Sequence, residues 1–341
     1  MSSHAGRDGV KVAVLSGGLG PERDVSLASG AAVARALREA GFEPVPVEIT
    51  AGGDFRIGGR AANPAAGMAR LRRSGVSAVF VALHGPYGED GVIQGFLRVL
   101  RVPFTGPDVE CAAIAMHKHA TRLLLADAGV PIAPGMLLRR GDALDAAGMA
   151  PPLVAKPCRL GSSVGVRIVT RADALAAAVR AVWAMGQDCI LERYIEGSEF
   201  SCPVRDTPRG PEALPVVEIR PCAGREFFDY EAKYSPGQSE EIVRTGGEPW
   251  LAEMQALAVR CHAVLGCRGF SRTDFIRGPA GPIVLEVNAI PGLTENSLLP
   301  KAARAAGLTL GMLARDWVAQ AVAEGCGSAG TEARRPCGAL A

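Results

Sequence analysis

Long apolar runs, aromatic residues and blocks of like charge are all scarce in this sequence of 341 residues. Aromatic residues make up only 5% of the chain while hydrophobic residues reach 48%, so the core must be built from small and aliphatic side chains. The 37 basic and 35 acidic residues nearly balance and form no Lys/Arg block, which argues against a nucleic-acid partner. The composition indicates a globular protein with a sizeable core.

Paired cysteine motifs and a membrane-targeting segment are also missing. The nine cysteines, an odd number, include no C-x-x-C pair, which favours a reducing compartment over a disulfide framework. The apolar run at residues 10–15 is too short for a signal peptide or a membrane span. We therefore expect a cytoplasmic protein without a membrane partner.

The chain is longer than a typical domain, and its pattern changes along its length. Strand-like and helix-like runs alternate over the first hundred residues, which predicts a parallel sheet covered by helices. From residue 153 onward, short strand-like runs separated by glycine loops, with one helix at 172–185, indicate an α+β arrangement. We predict an N-terminal α/β domain at 1–107, a central domain at 108–200, a C-terminal domain at 201–324 and a disordered tail at 325–341.

Hydrophobic spacing and Gly/Pro signals also predict individual elements. Strands are expected at 10–15, 42–49, 76–83 and 102–105. A first helix should end at Gly41, whereas residues 51–67, rich in Gly, Ala and Pro, should form a surface excursion. One long helix is expected at 109–128, and two helices starting near residues 298 and 309 should close the fold.

A glycine-serine loop at 157–165 follows Lys156 at the end of an apolar run. Small residues let backbone N–H groups approach phosphate closely, and a lysine on the preceding strand supplies charge. The segment lacks the Gly-Lys-Ser/Thr ending of a P-loop. Taken alone, a Gly-Ser hairpin beside a surface lysine is the more common explanation.

Four polar residues occupy two neighbouring predicted strands: Arg272, Asp274, Glu286 and Asn288. Residues two apart share one face of a strand, so pairing of these strands would bring the two carboxylates and the amide together. Hard oxygen donors of this kind suit Mg²⁺ carrying nucleotide phosphates. From spacing alone, the polar outer face of a hairpin explains the pattern equally well.

Two further segments are candidates for a site. His84 begins a glycine-rich run, 84–91, after the C-terminal end of a predicted parallel strand, where open α/β sheets place ligands, although a lone histidine there is usually structural. Residues 230–234 lead into a polar stretch, 235–241, that is typical of a mobile loop.

In this order, the motifs resemble those of the D-alanine–D-alanine ligase family. The resemblance covers residues 10–323 and is carried by six separated segments: 17–18 with 21–26, 84–91, 156–165, 192–200, 229–234 and 285–297. It implies an ATP-grasp fold after the N-terminal α/β domain. It also implies ligation of two D-alanines through an acyl phosphate for peptidoglycan precursor synthesis, with ATP as co-substrate, two Mg²⁺ ions with Mn²⁺ as the alternative, and a homodimer.

The resemblance also implies a role for individual residues. The implied ATP contacts are Lys118, Lys156 and Lys233 at the phosphates, Glu192, Arg193 and Ile195 at the adenine, and Glu199 at the ribose. The implied metal ligands are Asp274, Glu286 and Asn288. The implied substrate contacts are Glu22 at the first ammonium, Ser297 and Arg272 at the second carboxylate, Arg272 and the Gly292 N–H at the oxyanion, and Glu22, Ser162 and Tyr234 in a set that closes the lid.

Three rivals stay open beside this reading. The first is the same chemistry with another acceptor, such as D-lactate or another amino acid. It stays open because the loop expected to close over the site has the sequence Val-Arg-Thr-Gly-Gly at 243–247, where the family commonly has proline-alanine. Tyr234 argues against D-lactate. The second is a nucleotide-binding regulator without turnover, which the intact metal ligands disfavour. The third, a ligase for an unrelated acid, is disfavoured by Glu22 and Ser297, which suit amino-acid ends. Ala289 and Cys158 also depart from the family pattern without removing a proposed ligand.

Overall fold

A computed structural model describes residues 9–144, 148–221 and 239–327. Within these ranges the strands form three sheets, of five, four and six strands, in chain order. The cleft described below lies where the three sheets approach one another.

The first sheet has a parallel centre, as predicted. Its strands are Lys11–Gly17 (β1), Glu43–Ile49 (β2), Phe55–Ile57 (β3), Arg60–Ala62 (β4) and Val76–Val81 (β5), and its helices are Arg23–Glu39 (α1), Pro64–Arg73 (α2) and Val92–Val99 (α3). Strand β1 pairs parallel with β2 on one side and β5 on the other. Strand β1 is almost wholly buried, because helices cover both faces of such a sheet.

Two predictions in this region were wrong. Residues 51–67 are not a surface excursion, since β3 and β4 form an antiparallel hairpin that extends the sheet and buries Phe55 completely. Strands of three residues are too short to show a period, which is why the hairpin was missed. The strand expected at 102–105 is reduced to one parallel bridge, between Val79 and Phe104.

The single helix predicted at 109–128 is instead two, Val109–Met116 (α4) and Lys118–Asp127 (α5). His117 separates them with a non-helical ψ of 85°, and its Nδ1 accepts a hydrogen bond from the N–H of Ala120 at 3.3 Å. The backbone N–H of Lys118 then donates to the carbonyl of Cys158 at 3.0 Å. The break therefore docks the start of α5 onto the glycine-serine loop.

The four-stranded sheet is antiparallel throughout. Its strands are Gly135–Leu138 (β6), Leu153–Pro157 (β7), Arg167–Val169 (β8) and Cys189–Arg193 (β9), in the order β6-β9-β7-β8. The predicted helix is confirmed as Leu175–Ala184 (α6) after a short 3₁₀ turn, and its Val179 and Val182 pack on the sheet. The glycine-serine loop connects β7 to β8, as expected.

The six-stranded sheet carries the polar hairpin. Its strands are Ser198–Thr207 (β10), Gly210–Ala213 (β11), Val216–Pro221 (β12), Ser239–Arg244 (β13), Phe270–Gly278 (β14) and Gly281–Asn288 (β15). A 16-residue helix, Pro249–Val264 (α7), covers it and was missed, so the prediction of one helix in this half before residue 298 was wrong. Its buried positions, Leu251, Met254, Ala258 and Cys261, follow helical spacing.

The last two helices are Leu298–Ala305 (α8) and Leu310–Gly327 (α9), close to the predicted starts. Helix α9 returns to the first sheet, where Trp317 packs between Phe80 of β5 and Phe270 of β14, with ring centroids 6.1 and 4.2 Å away. It runs to Gly327, past the predicted start of the tail, and residues 328–341 lie outside the described ranges. Among the described helices, none combines the length and apolar character needed to cross a membrane.

We expect Trp317→Ala to lower the free energy of unfolding by about 3–5 kcal/mol, because it opens a cavity between the first and third sheets. Urea unfolding followed by circular dichroism measures the change. Leu123→Ala is the control: its side chain on α5 is 59% exposed, so the expected change is below about 0.5 kcal/mol. Similar values for the two variants would contradict the packing role of Trp317.

Candidate functional site

A cleft of about 570 Å³ lies between the three sheets, within the usual size of small-molecule sites. Every predicted site residue in the described ranges lines it: Glu22, Lys118, Lys156, Ser162, Glu192, Arg193, Ile195, Glu199, Arg272, Asp274, Glu286, Asn288, Gly292 and Ser297. Lys233 and Tyr234, with the rest of the predicted loop up to residue 238, lie outside the described residues. Residues far apart in sequence are thus brought into one cavity.

The polar hairpin forms one wall of the cleft. Strands β14 and β15 pair antiparallel, with Arg272 opposite Asn288 and Asp274 opposite Glu286. Asp274 accepts hydrogen bonds from the Arg272 guanidinium at 2.7 and 2.8 Å and from the Asn288 amide at 3.0 Å. The Asp274 side chain is only 14% exposed, so this face of the hairpin turns into the cleft rather than into bulk solvent.

This cluster suits a hard divalent cation. Two carboxylates and an amide oxygen on adjacent strands are the donors that Mg²⁺ prefers in proteins. Ser201 donates to Asp274 at 2.6 Å and fixes the carboxylate from the neighbouring strand β10. The donor set therefore fits the ion that the family resemblance implies.

Lys118 lies beside this cluster at the start of α5. Its ammonium is 3.1 Å from Glu286 and donates to the carbonyl of Leu160 at 2.8 Å. Burial lowers the pKa of Lys118, but the charge and hydrogen bond of Glu286, together with the charge of Glu89, outweigh burial and leave the pKa raised. Lys118 therefore stays cationic beside the cluster.

Lys156 belongs to a second buried ionic group. Its ammonium lies 2.7 Å from Glu192, and the other oxygen of Glu192 pairs with Arg122 of α5. Sequence reasoning found Lys156 and Glu192 but missed Arg122. The available signal was spacing: Arg122 follows Lys118 by four residues and so shares its helix face.

Part of the cleft lining is apolar. It is formed by Ile195, just beyond β9, with Ile276 and Leu285 of the polar hairpin, and we call it the apolar slot; Glu199 of β10 lines the same cleft. An aromatic base fits against aliphatic side chains of this kind. Ile276 and Leu285 were missed because aliphatic residues on strands look like ordinary core.

The glycine-serine loop contacts the first sheet through Ser162, whose hydroxyl donates a hydrogen bond to Glu22. Ser162 and Ser163 adopt left-handed backbone angles, with φ of 53° and 57°. Gly85 adopts a φ of 71°, which favours glycine, and a Cβ atom there would lie 2.4 Å from a carboxylate oxygen of Glu22 and would displace that side chain. The backbone is thus shaped around the Glu22 side chain.

Glu22 itself is poorly solvated. Burial raises its pKa above 4.5 and the nearby Glu89 carboxylate raises it further, against the opposing effects of Ser162, His84 and Lys118. An ammonium group that binds beside such a carboxylate would stabilise its charged form.

His84 has a structural role in these contacts. Its ring hydrogen-bonds with the Ser29 hydroxyl at 2.9 Å and with the carbonyl of Ile290 at 3.2 Å, and so joins the first sheet to the C-terminal segment.

The other end of the cleft is closed by the segment before α8. Ser297 stands at the N-terminus of that helix, and its hydroxyl lies 2.7 Å from the hydroxyl of Thr294. A Cβ atom at Gly292 would lie 2.8 Å from the Ser297 hydroxyl, so a side chain there would displace it. A helix N-terminus, a hydroxyl and the nearby Arg272 together suit a carboxylate.

Comparison with known proteins agrees with this geometry. Two family models match, "D-ala D-ala ligase N-terminus" at residues 11–107 and "D-ala D-ala ligase C-terminus" at residues 124–319. The D-alanine–D-alanine ligase of Beijerinckia indica is 44% identical over 312 residues, which cover 89% of this chain and 95% of the relative. That of Desulforudis audaxviator is 41% identical over 306 residues, covering 88% and 94%. The crystal structure of the Bacillus anthracis ligase complexed with ATP is 27% identical, with a TM-score of 0.77, and the match covers 94% of this chain and all of that one.

We expect Glu22→Gln to raise the thermal midpoint of unfolding near neutral pH, although it should impair any binding of an ammonium group. The ionised Glu22 destabilises the fold above its raised pKa, and this cost disappears as the pH falls to the ordinary value of 4.5. The gain in thermal midpoint should therefore shrink as the pH is lowered, in scans across that range. Glu253→Gln, at an exposed carboxylate, is the control; an equal gain there, or a gain that grows in acid, would refute the assignment.

Proposed function

The chain belongs to the D-alanine–D-alanine ligase family, and we propose that its cleft joins two D-alanine molecules in a reaction that consumes ATP. Its architecture is an α/β domain followed by an ATP-grasp fold. The observation that carries the proposal is the convergence of cations, paired carboxylates and a carboxylate-binding helix end in one cavity. The product is the dipeptide used in peptidoglycan precursors.

We place ATP between the four-stranded and six-stranded sheets, so that the domain division at residues 107 and 200 leaves the nucleotide between the last two domains. Its phosphates would meet Lys118 and Lys156, with Lys233 joining from the loop. Its adenine would enter the slot beside Ile195, near Glu192 and the backbone of Arg193, and its ribose would lie at Glu199. The apolar walls and buried cations at these positions support this arrangement.

Asp274, Glu286 and Asn288 would hold the magnesium ions that accompany the nucleotide, with Mn²⁺ as the alternative. When bound, such ions offset the negative charge that builds up on the transferred phosphoryl group. Arg272 supplies a further positive charge from the same strand as Asp274. The protein's task in this transfer is positioning and charge neutralisation.

The proposed reaction has two steps. The carboxylate of the first D-alanine, held by its ammonium at Glu22, attacks the γ-phosphate to give an acyl phosphate and ADP. The neutral amine of the second D-alanine, held by its carboxylate at Ser297 and Arg272, then attacks the acyl carbon; the C–O bond to phosphate breaks, and phosphate leaves together with a proton from the amine. Arg272 and the N–H of Gly292 would stabilise the tetrahedral oxyanion, where one donor typically contributes about two to three powers of ten in rate.

Water must be kept from the acyl phosphate while it waits for the amine. We assign this task to the loop that carries Tyr234, closed by a hydrogen-bonded set with Glu22 and Ser162. The hydrogen bond between Ser162 and Glu22 supplies two of the three members. Tyr234 lies outside the described residues.

We further propose that the protein is a cytoplasmic homodimer. Helix α3 supports a self-association surface. Val92 and Val99 lie seven residues apart, on the same face of the helix, and are 53% and 82% exposed. Val109 of α4 lies beside them and is 37% exposed. An apolar stripe of this kind is unusual on a surface that faces only water.

The proposed reaction predicts phosphate release from Mg-ATP that depends on D-alanine, because the acyl phosphate forms only when the first carboxylate is bound. D-Alanine, L-alanine, D-alanine with D-lactate, and no amino acid are compared, and mass spectrometry identifies the product. D-Alanyl-D-alanine is the expected product. Preferential formation of D-alanyl-D-lactate would move the assignment to a depsipeptide ligase, and no response to D-alanine would contradict the proposed function.

We expect Asn288→Ala to lower turnover by about tenfold or more, since even residues that only support metal ligands typically contribute 10- to 100-fold. Steady-state phosphate release measures it, and raised Mg²⁺ should recover part of the loss. Asn63→Ala is the matched control: Asn63 caps α2 far from the cleft, so it should lose about 1 kcal/mol of stability and keep its turnover. A wild-type rate for Asn288→Ala would mean that the ions are misplaced.

A further inference from the structure

Arg122 is a buried arginine that has no place among the contacts proposed for nucleotide, metal or amino acid. It ion-pairs with one oxygen of Glu192 and donates a second hydrogen bond to the carbonyl of Ala133 at 2.7 Å. The other oxygen of Glu192 lies 2.7 Å from the ammonium of Lys156. The side chains of Arg122, Glu192 and Lys156 are 9%, 5% and 9% exposed, so the three charges face one another in a nearly dry environment.

Gly135 is the residue that makes room for this arrangement. It lies opposite Glu192 across the β6–β9 pair. A Cβ atom at Gly135 would stand 2.5 Å from the backbone carbonyl oxygen of Leu191, 2.9 Å from Cγ of Glu192 and 3.1 Å from a guanidinium nitrogen of Arg122. The contact with the carbonyl oxygen already excludes a side chain at this position, and the space that the glycine leaves is occupied by the guanidinium of Arg122 beside Glu192.

The three residues are not electrically balanced. Two cationic side chains share one carboxylate, which leaves the group with one positive charge in excess. Lys156 and Glu192 line the cleft, whereas Arg122 approaches Glu192 from the side of α5. The excess charge is therefore presented to the cleft at Lys156.

A carboxylate that faced Lys156 alone would pair with it and cancel its charge. Such a lysine would have to give up its partner before it could bind a phosphate, at the cost of leaving a buried carboxylate unpaired. With Arg122 in place, Glu192 keeps a cationic partner when Lys156 turns to an anion. A fixed arginine suits this task, because its guanidinium stays charged and forms directed bonds.

We propose that Arg122 is a positioning residue that holds Glu192 from behind and so preserves the positive charge of Lys156 for the nucleotide phosphates. This inference rests on the proposed role of Lys156 in phosphate binding. It explains why a buried arginine is held between the carboxylate of Glu192 and the carbonyl of Ala133.

Inorganic tripolyphosphate is a suitable probe, because its affinity depends on the positive charge of Lys156 and it has no base or ribose to contact Glu192. Its affinity for the full-length protein is measured by calorimetry without added metal. Arg122→Met should weaken binding by on the order of tenfold, since the remaining Glu192 and Lys156 neutralise each other. Arg122→Lys should stay within about threefold of wild type.

The deciding variant is the double substitution Arg122→Met with Glu192→Gln. It restores one positive charge at Lys156, so binding of tripolyphosphate should return to within about threefold of wild type. Glu192→Gln alone should bind at least as tightly as wild type. Arg209→Met removes the same charge at an exposed turn and should change nothing.

A purely structural role for Arg122 would give a different pattern, because loss of packing is not repaired by changing Glu192. The proposal is overturned if folded Arg122→Met binds tripolyphosphate like wild type, or if the double variant shows no recovery. Should Arg122→Met fail to fold by circular dichroism, weaker binding by Glu192→Gln than by wild type overturns it instead. Failure of the proposed function would show separately, as wild-type protein without D-alanine-dependent phosphate release.

Discussion

A charged side chain taken out of water needs a partner of opposite sign, and this requirement shapes the cleft. The partners are Lys118–Glu286, Arg122–Glu192, Lys156–Glu192 and Arg272–Asp274. Helix α5 is central to them, because its first residue reaches the six-stranded sheet and the residue one turn later reaches the four-stranded sheet. A helix of ten residues thus ties the four-stranded sheet to the six-stranded sheet at the cleft.

The same requirement accounts for the break at His117. A single helix over 109–128 would continue in one direction, and its hydrophobic pattern alone predicts nothing else. The break turns α5 so that Lys118 meets both the carbonyl of Leu160 and the carboxylate of Glu286. What redirects the chain is a set of contacts with the glycine-serine loop, which lies about forty residues further along the sequence.

Local pattern was sufficient for much of the fold and for part of the candidate site. The parallel strands, the loop after Lys156 and the polar faces that carry Asp274 and Glu286 follow from spacing and residue type, whereas most other site residues came from the family resemblance. The features that were missed depend on contacts made at a distance. Spacing places Arg122 on the helix face of Lys118 but does not show that it pairs with Glu192, and the hairpin at β3–β4 is too short to show a period.

Helix α9 has a consequence for how the protein is made. The first sheet buries Phe80 partly against Trp317, and α8 and α9 supply much of the remaining cover for its core. The N-terminal end of a chain is translated first, so this sheet emerges with an apolar face whose cover, α8 and α9, follows roughly two hundred residues later. The nascent chain must keep that face from other chains until α9 has been translated, and a product truncated before residue 310 leaves it open to aggregation.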